Sequence, residues 1–158
     1  MTVRARLLLE SEGEYLADYV DGWAALAKGE LALASHCFED LRSHLADGSA
    51  LVALALGICR ARQERFNEAL LLFDGCSQDA HRHPDYVIYY AESLKAHHRH
   101  VDALSLLREA VERWPNETRL WFNLGNAYRD LQKYEQAIES YDRVLILDSR
   151  DVDARWNR

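Results

Sequence analysis

Seven histidines and three cysteines are the residues of this chain best suited to metal or nucleophile chemistry, and their spacing argues against both. His81-Arg82-His83 and His97-His98-Arg99-His100 flank a helical segment of about 14 residues, which at 1.5 Å per residue separates them by roughly 21 Å. A zinc ion needs three or four donors converging at about 2 Å. The two clusters therefore cannot share one ion within a protomer, and both read as solvated turn residues. Cys37, Cys59 and Cys76 are odd in number, lack Cys-x-x-Cys spacing and sit in helical apolar patterns. Free cysteines in such a setting pack as small hydrophobes, and a reducing compartment follows. No glycine-rich phosphate loop appears, and no Ser, Cys or Thr stands in a recognisable nucleophile context. The many Asp and Glu residues fall mainly on polar helix faces and at helix ends, where solvation and the helix dipole account for them. The expectation is a protein with no catalytic residues, no metal and no cofactor.

The whole chain supports that reading. With 158 residues, 49% of them apolar and 28% charged, it suits one folded domain or a short repeat array rather than a disordered segment. A formal charge of -7 is the wrong sign for phosphate binding, so nucleic acid is not an expected partner. The apolar run Leu7 to Leu9 is too short for a secretory segment, and Glu10 ends it. No stretch approaches the roughly 18 apolar residues of a membrane span. A cytoplasmic location is expected, with no membrane partner.

The strongest signal is a ladder of small residues. Ala69, Ala103 and Ala137 lie 34 apart, and Ala34 lies one residue further back. Written in rows of 34 from Ala50, the sequence gives 50–83, 84–117 and 118–151, which agree column by column: Gly57, Ala91 and Gly125; Phe73, Leu107 and Tyr141; Cys76, Ala110 and Val144. Small residues recur where helices approach closely and bulky ones where the gap must be filled, so each row reads as a helix hairpin. Leu120, Trp121, Leu124, Ala127, Tyr128 and Leu131 give one helix of the last row; Tyr134, Ala137, Ile138, Tyr141 and Leu145 give the other. Polar turns stand at 62–65, 97–100 and 130–133. Both prolines, Pro84 and Pro115, fall between rows, where proline is tolerated.

An earlier row spans 15–49, with Gly22, Gly29, Ala34, Phe38 and Leu41 in the small and bulky columns. Its first helix is expected to bury Tyr19, Trp23 and Leu26 rather than Asp18 and Asp21, because unpaired carboxylates are costly to sink. Residues 1–14 form an extension in which Ser11-Glu12-Gly13-Glu14 fits a capping box opening that helix. Residues 152–158 repeat the start of a further row and stop. A polar end cap is thus missing or minimal, which suggests a piece of a longer protein or a face covered by self-association.

Trp121-Phe122-Asn123-Leu124-Gly125-Asn126-Ala127-Tyr128, followed by Tyr134, Ala137, Tyr141 and Leu147-Asp148, resembles a tetratricopeptide repeat. Departures are Ser149 where proline is usual, Val144 where alanine is usual, and Val87, Tyr90 and Ala91 where the middle row lacks Trp, Leu and Gly. The resemblance covers about residues 15–151. It implies an all-α, right-handed superhelical solenoid of antiparallel hairpins, about four repeats long, whose first helices line a concave groove.

By that geometry the groove carries Leu51, Leu54, Ile58 and Arg62 from one row, Ile88, Tyr89, Glu92 and Lys95 from the next, and Arg119, Phe122, Asn123, Asn126 and Arg129 from the last. The surface is expected to be apolar at one end and polar or basic at the other. Asn123 and Asn126 can each donate and accept, which suits the backbone of an extended peptide, and Arg119 and Arg129 could hold a carboxylate. Chaperone-binding family members place Lys in the fifth column of a carboxylate clamp; Leu54, Ile88 and Phe122 stand there instead, which points to an apolar or amphipathic ligand. The chain's own Val3 and Leu7 to Leu9 could also fill part of the groove. The expected function is a non-catalytic protein-interaction module. The alternatives are the N-terminal targeting domain of a larger glycosyl- or sulfotransferase, and a small chaperone of the secretion type.

Overall fold

The computed structural model describes residues 15–45, 50–76 and 83–158, and every regular element among them is helical. The capping box at Ser11 to Glu14 lies outside the described residues. The chain divides into two compact units, Met1–Ala80 and His81–Arg158. The first holds α1 (Leu16–Lys28), α2 (Leu31–His44), α3 (Ala50–Arg62) and α4 (Phe66–Asp74). The second holds α5 (Pro84–Ala96), α6 (His100–Arg113), α7 (Thr118–Asp130), α8 (Tyr134–Leu147) and the short α9 (Val152–Asn157). Within each unit every helix packs on the next, and alternate helices also meet: α1 on α3, and α5 on α7.

The small-residue ladder is where the hairpins close. Ala34, Ala69, Ala103 and Ala137 are all buried. In three hairpins the glycine of the first helix faces the aromatic ring of the second. A Cβ on Gly22 would stand 2.7 Å from the Phe38 ring, on Gly57 2.6 Å from Phe73, and on Gly125 2.5 Å from Tyr141. The hairpin of 84–117 has Ala91 and Leu107 in these columns, both fully buried. A smaller bulky partner there leaves room for a methyl group.

The hairpin turns share one geometry, which the sequence announces at only one of them. Gly29, Glu64, His98 and Gln132 each adopt a left-handed backbone, with φ of 82°, 60°, 58° and 58°. At each, the next residue's N–H reaches back to the carbonyl five positions earlier: Glu30 to Ala25, Arg65 to Arg60, Arg99 to Leu94 and Lys133 to Tyr128. The left-handed residue bonds three back, to Leu26, Ala61, Lys95 and Arg129. This pair of bonds satisfies the last carbonyls of the helix and reverses the chain.

In α1, Asp18 and Asp21 are exposed, Leu26 is buried, and Tyr19 and Trp23 pack edge-on against Phe38 at 6.1 and 5.8 Å. Pro84 opens α5. Three sequence expectations are corrected. Cys76 lies beyond the end of α4, where its thiol donates to the Leu72 carbonyl. Cys37 is only half-buried, so Cys59 alone is a core cysteine. Tyr134 and Ile138 are exposed rather than core, because the Ala137–Tyr141–Val144 stripe of α8 turns toward α7 and α9 and leaves them outside it.

Candidate functional site

In the first unit two of the four expected groove residues are core. Leu54 and Ile58 are buried and Leu51 is half-buried. The apolar end expected of the groove is thus largely buried, and the expectation that Val3 and Leu7 to Leu9 fill part of it lies outside the described residues. Arg62 is exposed, but its guanidinium donates to the Leu26 carbonyl at 2.7 Å, at the electronegative C-terminus of α1.

One side chain of this unit breaks the row pattern. Arg60 stands in the column that carries Leu94 and Tyr128 in later rows, and it is 7% exposed. Its guanidinium donates to Ser35 and Gln63 at 3.1 Å each, contacts Glu68 at 3.2 Å, and pairs with Glu39. Gln63 in turn donates to Ser35 and to the Leu31 carbonyl. Beside it opens a cleft of about 510 Å³ lined by Glu39, Arg42, Ser43, Leu56, Glu68, Leu71 and Leu72. The cation at its base is already committed to carboxylates on α2 and α4.

The second unit keeps a chemically varied first-helix face. Ile88 is buried beneath it, and Tyr89, Glu92, Lys95, Phe122, Asn123 and Asn126 are half-buried. Arg119 and Arg129 are exposed. Acidic residues, some a row away and some close in sequence, meet the cations. Arg119 bonds Asp85 at 2.7 Å and Glu117 at 2.8 Å, and Lys95 bonds Asp130 at 3.1 Å. Arg129 donates to Asn157 at 3.0 Å and lies 3.9 Å from Asp130. The hydrogen bond that Arg119 donates to Glu117 and then that to Asp85 hold it more firmly protonated than an ordinary arginine. Of the polar or basic character expected at this end, the polar one describes it: the arginines are matched by acidic or amide groups within the chain.

Glu92 is the exception. Burial raises its carboxyl above the usual carboxylate range, and only the charge of Lys95, three residues on, opposes that rise. The asparagines are half committed. Asn126 Oδ1 accepts from the Tyr141 hydroxyl at 2.8 Å, and Asn123 Nδ2 donates to the Arg119 carbonyl at 2.9 Å.

Sequence reasoning passed over Trp156 on α9, whose side chain is 90% exposed. It lies 34 residues after Phe122, in the same column, and Asn157 likewise follows Asn123. Extending the rows into 152–158 would have found both. Among the described residues no three His, Cys, Asp or Glu side chains stand together as a metal-ion set, and no helix is long and apolar enough to cross a membrane. Burial pushes the Cys59 and Cys76 thiols up to about 11, away from the thiolate that nucleophilic chemistry needs.

Two tetratricopeptide repeat patterns match the chain, at residues 84–127 and 118–151. A comparison with curated proteins finds no match. Among solved structures, "MamA D159K mutant 1" aligns with a TM-score of 0.75 at 20% identity, covering 93% of this chain and 85% of its own. "MamA MSR-1 C2" gives 0.74 at 21%, covering 91% and 82%. "MamA 41-end from Desulfovibrio magneticus RS-1" gives 0.74 at 19%, covering 89% and 78%. At such identities the likeness concerns the fold alone. The hairpins, their glycine–ring contacts and the matched patterns agree: residues 84–151 match tetratricopeptide repeats, and the described residues form an all-α fold of that repeat type.

Proposed function

We propose that this chain is a non-catalytic interaction module that binds a partner polypeptide along the first-helix face of its second unit. Repeats of this kind act as protein-interaction scaffolds, and the face on α5, α7 and α9 has the groups such binding requires. The observation that carries the reading is the complementary remainder on two asparagines. With Oδ1 of Asn126 taken by Tyr141 and Nδ2 of Asn123 taken by the Arg119 carbonyl, Asn126 offers a donor and Asn123 an acceptor. An extended backbone presents the matching carbonyl and N–H. Phe122 and Trp156 supply apolar contact on the same face, and aromatic anchors carry a large share of binding energy at interfaces.

The test is selection of peptides of about twelve residues from a random library on the intact chain, followed by titration against variants. Asn123→Ala and Trp156→Ala each weaken binding about tenfold, as the loss of one anchor predicts. Both leave the melting temperature within about 2 °C, because these side chains are outside the core. Undiminished affinity in both variants would remove this face as the site. The readings as a targeting domain of a larger transferase or as a secretion-type chaperone would use the same face, and no residue described above favours either.

A further inference from the structure

The charges on the second unit's first-helix face are unevenly matched, and the mismatch specifies a ligand. Each cation of the face has a carboxylate within 4 Å: Arg119 has Asp85 and Glu117, while Lys95 and Arg129 have Asp130. A ligand carboxylate would have to displace one of these partners. Glu92 is the reverse case. It is half-buried on α5 between the Asp85–Arg119 and Lys95–Asp130 pairs, and among the described residues no side chain or backbone group donates a hydrogen bond to it. Lys95 attracts it through space but gives its short contact to Asp130. A partly desolvated carboxylate without a donor is unfavourable until a cation reaches it.

We infer that the polypeptide bound on this face carries a lysine or arginine that pairs with Glu92, with apolar residues beside it that lie on Phe122 and Trp156. The three residues stand on successive first helices, α5, α7 and α9. Neighbouring helix axes lie on the order of 10 Å apart, and an extended chain advances about 3.3 Å per residue. The matching segment therefore has its apolar residues about three and six positions from the basic one. The protein's net charge of -7 favours the approach of such a segment. An exposed tryptophan also tolerates a neighbouring cation better than an aliphatic side chain would.

This inference rests on the peptide-binding reading above and is separable from it. Peptides of about twelve residues selected on the intact chain should be enriched in Lys or Arg at that spacing. For a selected peptide, Glu92→Gln should lower affinity about tenfold, and replacing the peptide's basic residue by Gln should cost the same on the wild-type chain but nothing further on the variant. Circular dichroism should show Glu92→Gln as fully folded. Selected peptides that depend on Asn123 and Trp156 but lack a basic residue, are enriched in acidic ones, or bind Glu92→Gln unchanged would overturn the inference and leave the binding reading standing. Failure to select any peptide sensitive to Asn123 and Trp156 would overturn both.

Discussion

Gly125 on α7 and Tyr141 on α8 form a single steric unit: a Cβ added at Gly125 would come within 2.5 Å of the Tyr141 ring. The same ring sends its hydroxyl to Asn126, so one contact both closes the hairpin and fixes a side chain of the candidate site. Hairpin packing and the candidate site meet in adjacent residues.

Gly125→Ala is accordingly expected to destabilise the protein by about 1–3 kcal/mol through overpacking. Helix propensity alone would predict a gain of roughly 0.5–1 kcal/mol, so the sign of the effect separates the two. In a Tyr141→Leu background, which reproduces the Ala91 and Leu107 pairing of the preceding row, the same substitution should be neutral or stabilising. Chemical denaturation of the four members of this cycle measures it. Equal costs in both backgrounds would mean that the ring does not set the glycine requirement.

The left-handed turn residues offer a second test. Glu64, His98 and Gln132 hold φ near 60° with side chains that disfavour it, whereas Gly29 occupies the equivalent place freely. Left-handed backbone costs an ordinary residue about 1–2 kcal/mol. His98→Gly and Gln132→Gly should therefore raise the melting temperature, and Gly29→Ala should lower stability by about 1 kcal/mol. A fall in both glycine variants would show that the native side chains are needed in the turn.

Arg60 is buried in a column that is otherwise apolar, with Glu39 and Glu68 as its counter-ions. Arg60→Ala should cost about 1–3 kcal/mol, since it opens a cavity and removes the donor to Ser35 and Gln63, while Glu39 and Glu68 stay half-exposed and Glu68 keeps its pair with Arg65. Arg60→Leu, the residue found in this column at Leu94, should lose less than half of that. Adding Glu39→Gln and Glu68→Gln to Arg60→Leu should restore stability further. Thermal melts of the three variants decide whether the network is a net stabiliser or a replaceable feature.

Glu92 links stability to pH in a direction opposite to that of a paired carboxylate. Burial raises its pKa in the folded chain above the unfolded value. As pH climbs from the unfolded pKa to the folded one, the unfolded chain gives up its proton first. Stability therefore falls across that interval and stays lower above it. Glu92→Gln should melt higher than wild type at neutral pH, with the difference vanishing below the carboxylate range. A constant difference at all pH values would indicate that packing rather than charge is responsible. The same variant is expected to bind a basic peptide less well, so stability and binding move apart at this position.

The repeat was legible in the sequence because it rests on steric periodicity: Ala34, Ala69, Ala103 and Ala137 must be small where helices touch, and Gly57 and Gly125 smaller still where a ring stands opposite. The burial of Leu26 with exposure of Asp18 and Asp21 followed from the cost of sinking charge. Single-helix periodicity could not identify which apolar columns stay open. Leu54, Ile58 and Ile88 share a column logic with exposed groove positions, yet they are buried, because burial depends on what neighbouring helices cover. Nor could it pair Asp85 with Arg119 or Lys95 with Asp130, since each pair spans about one full repeat and forms only when the first helices stand side by side. The sequence by itself determined the helices, their hairpins and the small residues that let them meet. The tertiary structure alone decided which charges are neutralised and that Glu92 accepts no hydrogen bond among the described residues, because that balance depends on distances between helices that no local pattern encodes.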